Sequence, residues 1–164
     1  MATIQFKKGD EYLAKIAKLY AASRDKICGR ATYGAAEIVA DEIRSQLRQV
    51  PTDDSSDSFF GEVDGPKKVQ KKGLYDSLGI ASMQDDGTGF LNVKIGFDGY
   101  NDVKTKRWPQ GQPNQMIARS VERGTSFMKA NPFVKPAMQK TTKKAIKHMK
   151  ESVDESIEEI MKKG

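Results

Sequence analysis

The chain has a single cysteine and a single histidine among 164 residues, and these two scarcities remove whole classes of chemistry. Cys28 alone can close no intramolecular disulfide and build no thiolate-rich metal site. Set among small residues in a helical pattern, it is expected to be a small buried side chain. His148 alone excludes a multi-histidine metal centre and a two-histidine acid–base pair. It lies inside KKAIKHMK, where neighbouring cations point to a solvated helix face, and no nucleophile-elbow pattern of the kind a Ser-His-Asp hydrolase needs accompanies it.

Long apolar runs are missing too. Nowhere do about 18 consecutive apolar residues occur, and MATIQFKKGDEYL lacks the apolar run of a signal peptide. The expectation is a chain with no membrane attachment that stays in a reducing cytoplasm. No phosphate-binding loop is present: DDGTGF reads as a tight hairpin turn, and DGPKK lacks the glycine spacing and the following Ser or Thr. Apolar residues make up 37% and charged residues 30%, a composition that predicts a modest core and extended surface partly covered by partners. The net charge of +6 permits contact with nucleic acid, but the 22 acids interleave with the bases along most of the chain.

What is present fits one domain: N-terminal helices over 1–50, a loop over 51–72, a hairpin with an extended loop and a short helix over 73–131, and a C-terminal helix over 132–164. After an extended IQFKKG, helical spacing of Leu13, Ile16, Ala17 and Tyr20 predicts an amphipathic helix over 10–22 with Asp10 as its N-cap. From Ser23 the pattern Ile27, Ala31, Ala35, Ile38, Val39, Ile43, Leu47 predicts a longer helix ending near Gln49. Gly29 and Gly34 either weaken its first half or mark a close packing point. The following segment is a polar loop in which Phe59 and Phe60 either pin it to the core or dock another subunit.

GLYDSLGIASMQDD reads as a helical turn leading into a strand, DDGTG as a turn, and FLNVKIGF as a second strand with period two, together an antiparallel hairpin. Residues 99–114 suit an extended loop holding Trp108. NQMIARSVERG predicts a short helix with Met116, Ile117, Ser120 and Val121 on one face and Gly124 as its C-cap. From Pro132 onward, apolar residues at three-four spacing predict a long helix, with Pro132 and Pro136 tolerated near its first turn. The fold class expected is α+β, helices on a small antiparallel sheet with a long C-terminal helix.

Candidate chemistry is sparse. Carboxylates cluster at TDDSSD, MQDDG and ESVDESIEE. Turn preference accounts for the first two and a solvated acidic helix face for the third, which leaves a metal-dependent hydrolase using Asp53, Asp54, Asp85 or Asp86 as a rival with only the carboxylates behind it. The terminal helix is divided by charge: Lys140, Lys143, Lys144, Lys147 and Lys150 precede Glu151, Asp154, Glu155, Glu158 and Glu159. That order opposes the helix macrodipole at both ends. Either these charges meet a neighbouring copy, or the segment is a flexible charged tail; a DNA-binding protein using the lysines is a third reading, predicting steep salt dependence.

The order GLYDSL, VKIGF, ARSVERGTS, MKANPFVKPAM and a long charged helix, over 72–164, resembles the small tail-component family of long-tailed bacteriophages and prophages, also described as tail completion, neck or head-tail joining proteins. The shared motif is Glu-x-Gly-Thr-Ser, then Ala-x-Pro-Phe, then Pro-Ala, here Glu122, Gly124, Thr125, Ser126, Ala130, Pro132, Phe133, Pro136 and Ala137. Arg123 stands where such proteins usually have an aromatic residue. The resemblance implies a structural virion protein with no catalytic residues, no cofactor and no metal. Such a protein would form a homo-oligomeric ring at the neck with other neck or tail proteins, made in the host cytoplasm, its charge permitting non-specific contact with DNA in the channel. It also implies that Glu122, Gly124, Thr125, Ser126, Pro132, Phe133 and Pro136 form an elbow setting the terminal helix against the hairpin. Arg107 with Trp108 would be a partner-facing tip, and the charged helix over 140–159 would carry contacts between copies.

Overall fold

The computed structural model describes residues 9–55, 63–85 and 91–163. The extended start, Phe59 and Phe60, and the Asp86–Gly87 turn lie outside the described residues. The fold is α+β: α1 (Gly9–Ala22), a π-helical turn (Ser23–Cys28), α2 (Gly29–Gln49), α3 (Lys68–Ser77), β1 (Leu78–Ile80), β2 (Gln84–Asp85), β3 (Leu91–Asn92), β4 (Ile95–Phe97), α4 (Asn114–Arg123) and α5 (Val134–Lys163).

The first two helices join without a break. Cys28 keeps right-handed helical angles, φ −67° and ψ −39°, and the expected boundary at Ser23 is a π turn. A π turn takes up more residues than an α turn and so offsets the apolar face on either side of it. Leu13, Ile16 and Tyr20, the apolar side of the expected amphipathic helix, are 63%, 43% and 85% exposed. The helix starts at Gly9, so Asp10 falls inside it rather than ahead of it.

The core gathers Ala40, Ile43 and Leu47 of α2, Val50, Leu74 of α3, Leu78 of β1, Ile117, Ala118 and Val121 of α4, and Phe133 with Ala137 at the start of α5. Beyond it α2 and α5 run antiparallel. Gly34 and the small residues Ala31, Ala35, Ala145, Ser152 and Ser156 let the two backbones approach. A Cβ on Gly34 would lie 2.2 Å from His148 Nε2, so Gly34 is a packing point and His148 is half-buried against it, not on a solvated face.

The hairpin is made of two short antiparallel ladders. Leu78, Gly79 and Ile80 pair with Phe97, Gly96 and Ile95, and Gln84 and Asp85 with Asn92 and Leu91. The Ala81 N–H donates to the Lys94 carbonyl, so Ser82 and Met83 together face Val93, a bulge. The Met83 N–H that the bulge releases donates to the Tyr33 hydroxyl at 2.7 Å. The expected helical turn before β1 is the ten-residue α3, which starts at Lys68 within the stretch expected as loop.

Loop 98–113 is tied down at its base. Asn101, 3% exposed, donates through Nδ2 to the Val69 and Gln70 carbonyls and accepts from the Val103 N–H, while its own N–H donates to Gln112. Gly73 makes this approach possible, since a Cβ there would lie 2.3 Å from Asn101 Nδ2. Among the described residues no helix is long and apolar enough to cross a membrane.

Candidate functional site

The motif residues converge on the junction of α4 and α5. Glu122, in the last turn of α4, accepts the Phe133 N–H (2.7 Å) and the Val134 N–H (2.8 Å) on Oε2 and the Lys135 N–H (3.0 Å) on Oε1. The next residue, Pro136, has no N–H. One carboxylate and one proline therefore account for the unpartnered donors that open the 30-residue α5. No acid lies in the first turn of α5 itself, so its negative N-terminal charge comes from α4.

Gly124 makes the reversal. Its φ of 74° and ψ of 174° lie in a region essentially restricted to glycine, extended rather than left-handed helical, and a Cβ would lie 2.8 Å from the Ala130 nitrogen and 3.0 Å from the Met128 oxygen. The side chains of Thr125 and Ser126, expected within the elbow, do not bond the carbonyls at the end of α4. Instead the Val121 carbonyl accepts the Asn131 N–H at 2.8 Å. Thr125 closes its own turn, exchanging backbone bonds with Met128 and accepting the Phe127 N–H on Oγ1. Ser126 is exposed. Pro132 is exposed too, and the next side chain, Phe133, is fully buried and meets Phe97 of β4 edge to face at 5.9 Å. That contact sets α5 against the hairpin.

The junction is bound on its other side to the segment after the first loop. Val63 N–H donates to Phe127, Lys129 N–H to Val63, and Asn131 Nδ2 to Asp64, whose carboxylate also pairs with Lys129. Beside it lies a cavity of about 450 Å³ floored by Ile117 and Met128 and rimmed by Gln70 and Phe127, the last 66% exposed.

The charge division of α5 finds part of its explanation within the chain. Lys140 Nζ lies 2.9 Å from Glu42 of α2, whose side chain is only 15% exposed. The Gln46 amide and then Lys140 bond to Glu42 and hold its carboxyl below its ordinary value of 4.5. Lys147 pairs with Glu151, Lys162 with Glu158, and Arg30 lies 3.7 Å from Glu159. Lys143, Lys144, Asp154 and Glu155 are exposed and make no ion pair among the described residues. The segment is one continuous helix packed on α2, not a tail.

Arg107 and Trp108 occupy the tip of loop 98–113. Thr105 and Trp108 exchange backbone bonds, and the Arg107 guanidinium lies 5.8 Å from the Trp108 ring centre. Of the acidic clusters, Asp53 accepts the Ser55 hydroxyl and amide and the Asp64 N–H, and Asp54 accepts the N–H of Lys68, the first residue of α3. These bonds, led by the Ser55 hydroxyl for Asp53 and by the Lys68 amide for Asp54, lower both carboxyls from their ordinary 3.8. Among the described residues no group of three or more His, Cys, Asp or Glu side chains is placed to hold a metal ion. Nothing in the sequence marks Asn101, one polar residue in a turn-rich loop, as the tie between that loop and α3, and Glu37, exposed on α2, lines the cleft around His148.

Comparison with known proteins finds no matching family model and no significant match among curated proteins or solved structures. The arrangement defines a class by its geometry alone: an α+β body whose long terminal helix is held at a fixed angle by a carboxylate from the preceding helix.

Proposed function

We propose that this protein is a structural component of a long-tailed phage virion, acting in head-tail joining or tail completion as one subunit of a ring at the neck, by assembly and without catalysis. The observation that supports this reading is the elbow: the residues that carry the family resemblance, Glu122, Gly124, Phe133 and Pro136, are also the residues that hold α5 at one angle. A ring subunit must present its neighbours with a repeatable geometry, and a junction locked by three hydrogen bonds and a buried aromatic residue supplies it. Exposed apolar side chains, Leu13, Ile16 and Tyr20 on α1 and Ile146, Met149 and Ile157 on α5, are surface of the kind that subunits cover.

The test is the mass of the purified protein by light scattering at micromolar and near-millimolar concentration, in low and high salt, with and without duplex DNA. A ring-sized or concentration-dependent oligomer without DNA is expected. A monomer whose mass changes only with DNA, through binding that weakens steeply with salt, overturns the reading in favour of phosphate contact by the lysines.

A further inference from the structure

Pairing inside the chain leaves charge over at both ends of α5, with opposite signs. The helix is a rod about 45 Å long at the α-helical rise. Near its start, a groove of about 540 Å³ between α4 and α5 has Val134 and Met138 as apolar floor, Met138 being 54% exposed, and Arg119, Arg123 and Lys135 along its walls. These three cations make no ion pair among the described residues. Glu122, the only acid lining the groove among the described residues, is turned onto the α5 amides. Near the other end of the rod, Asp154, Ile157, Glu158 and Met161 fall at i, i+3, i+4 and i+7 on one face. Ile157 is 37% exposed, Asp154 has no ion pair among the described residues, and Glu158 meets only Lys162 of the same exposed face.

We infer that the α4–α5 groove receives the acidic C-terminal third of α5 from a second copy of this chain. Ile157 and Met161 lie on Met138 and Val134, and Asp154 and Glu158 face Arg119, Arg123 and Lys135. An apolar pair flanked by carboxylates matches an apolar floor flanked by cations, and three-four spacing is how a helix reads a groove. Met138 and Ile157 are roughly 28 Å apart along one straight helix, so the two patches cannot meet within a chain. The contact is head-to-tail, and such contacts close into rings or run on as filaments. This names the interface of the proposed ring and rests on that reading. A single helix in a groove is smaller than the roughly 1,200 Å² of a standard stable interface, so the contact forms at high local concentration and closure of the ring holds it.

The test exchanges the charges. One chain carries R119E and R123E, a second D154K and E158K, all at exposed positions, with folding checked by circular dichroism. The wild-type mass should rise with concentration and fall with salt, while each variant alone should associate at least tenfold more weakly. An equimolar mixture should recover, because the acidic groove of the first chain accepts the basic helix of the second and the reverse. As a second measurement in a Cys28→Ser background, Met138→Cys and Ile157→Cys chains should form a mixed disulfide dimer faster than either alone. Variants that associate like wild type, or a mixture that does not recover, overturn this interface and leave the ring reading standing. A wild type whose mass changes only with DNA overturns both.

Discussion

Replacing Glu122 by alanine removes the acceptor of three N–H groups at once, at 2.7, 2.8 and 3.0 Å. Hydrogen bonds to a charged group contribute about 1.5 to 3 kcal/mol each where the partner cannot turn to water. The Lys135 amide is exposed and water takes it over, whereas the Phe133 and Val134 amides are half-buried. With loss of the favourable charge at the helix start included, Glu122→Ala is expected to cost about 2 to 4 kcal/mol. Glu122→Gln keeps one carbonyl oxygen and is expected to cost about half of that, roughly 1 to 2 kcal/mol. In urea, with a slope of about 2 kcal/mol/M, the alanine variant's midpoint should fall by about 1 to 2 M at unchanged slope. The Phe133, Val134 and Lys135 amides should exchange faster with solvent. An alanine variant within about 0.5 kcal/mol of wild type would refute the reasoning, because that is the range of a surface change away from any structural feature.

Two further outcomes follow from contacts between distant residues. Gly34→Ala, which places a Cβ 2.2 Å from His148 Nε2, should destabilise the protein by about 1 to 3 kcal/mol but stabilise a His148→Ala background by up to about 1 kcal/mol through helix propensity. Equal effects in both backgrounds, read as thermal midpoints, would contradict the packing. Glu42, Asp53 and Asp54 titrate below their ordinary values in the folded chain, so the stability they contribute is complete above about pH 4.5 and 3.8 and is lost as pH falls through the lower folded values. Urea unfolding from pH 7 down to 3 should show this acid limb. Glu42→Gln should flatten its upper part, and high salt should weaken the contribution of Lys140; an unchanged limb in Glu42→Gln would count against the Glu42–Lys140 pairing.

Long, strongly periodic segments were legible in the sequence because their signal is local. The spacing of Ile27 through Leu47 gave α2, Gly124 and Pro132 gave the two sides of the elbow, and the continuous three-four pattern gave α5. The role of Glu122 was half legible. The motif singled it out, but nothing in its neighbours says that its carboxylate reaches residues eleven to thirteen positions on. The π turn, the bulge at Ser82 and Met83, and the use of Tyr33 to satisfy the freed amide left no periodic trace, since each depends on an element more than a few residues away. The apolar stripe of α1 shows the converse: Leu13, Ile16 and Tyr20 have the spacing of a buried face and are exposed, because periodicity reports that a face is apolar and not what covers it.

The sequence by itself determined α2, α4 and α5, the antiparallel hairpin, the α+β character and the scarcity of Cys and His that excludes thiolate-rich and multi-histidine metal centres. These follow from backbone geometry and composition, which act over a few residues or over the chain as a whole. Only the tertiary structure decided that His148 packs on Gly34, that Lys140 meets Glu42, that Asn101 ties its loop to α3, and that α4 rather than α5 supplies the negative charge at the start of the terminal helix. Each of these is a meeting of side chain and backbone across many intervening residues. Such meetings are selected by the fit of the packed core, and local propensity carries no record of them.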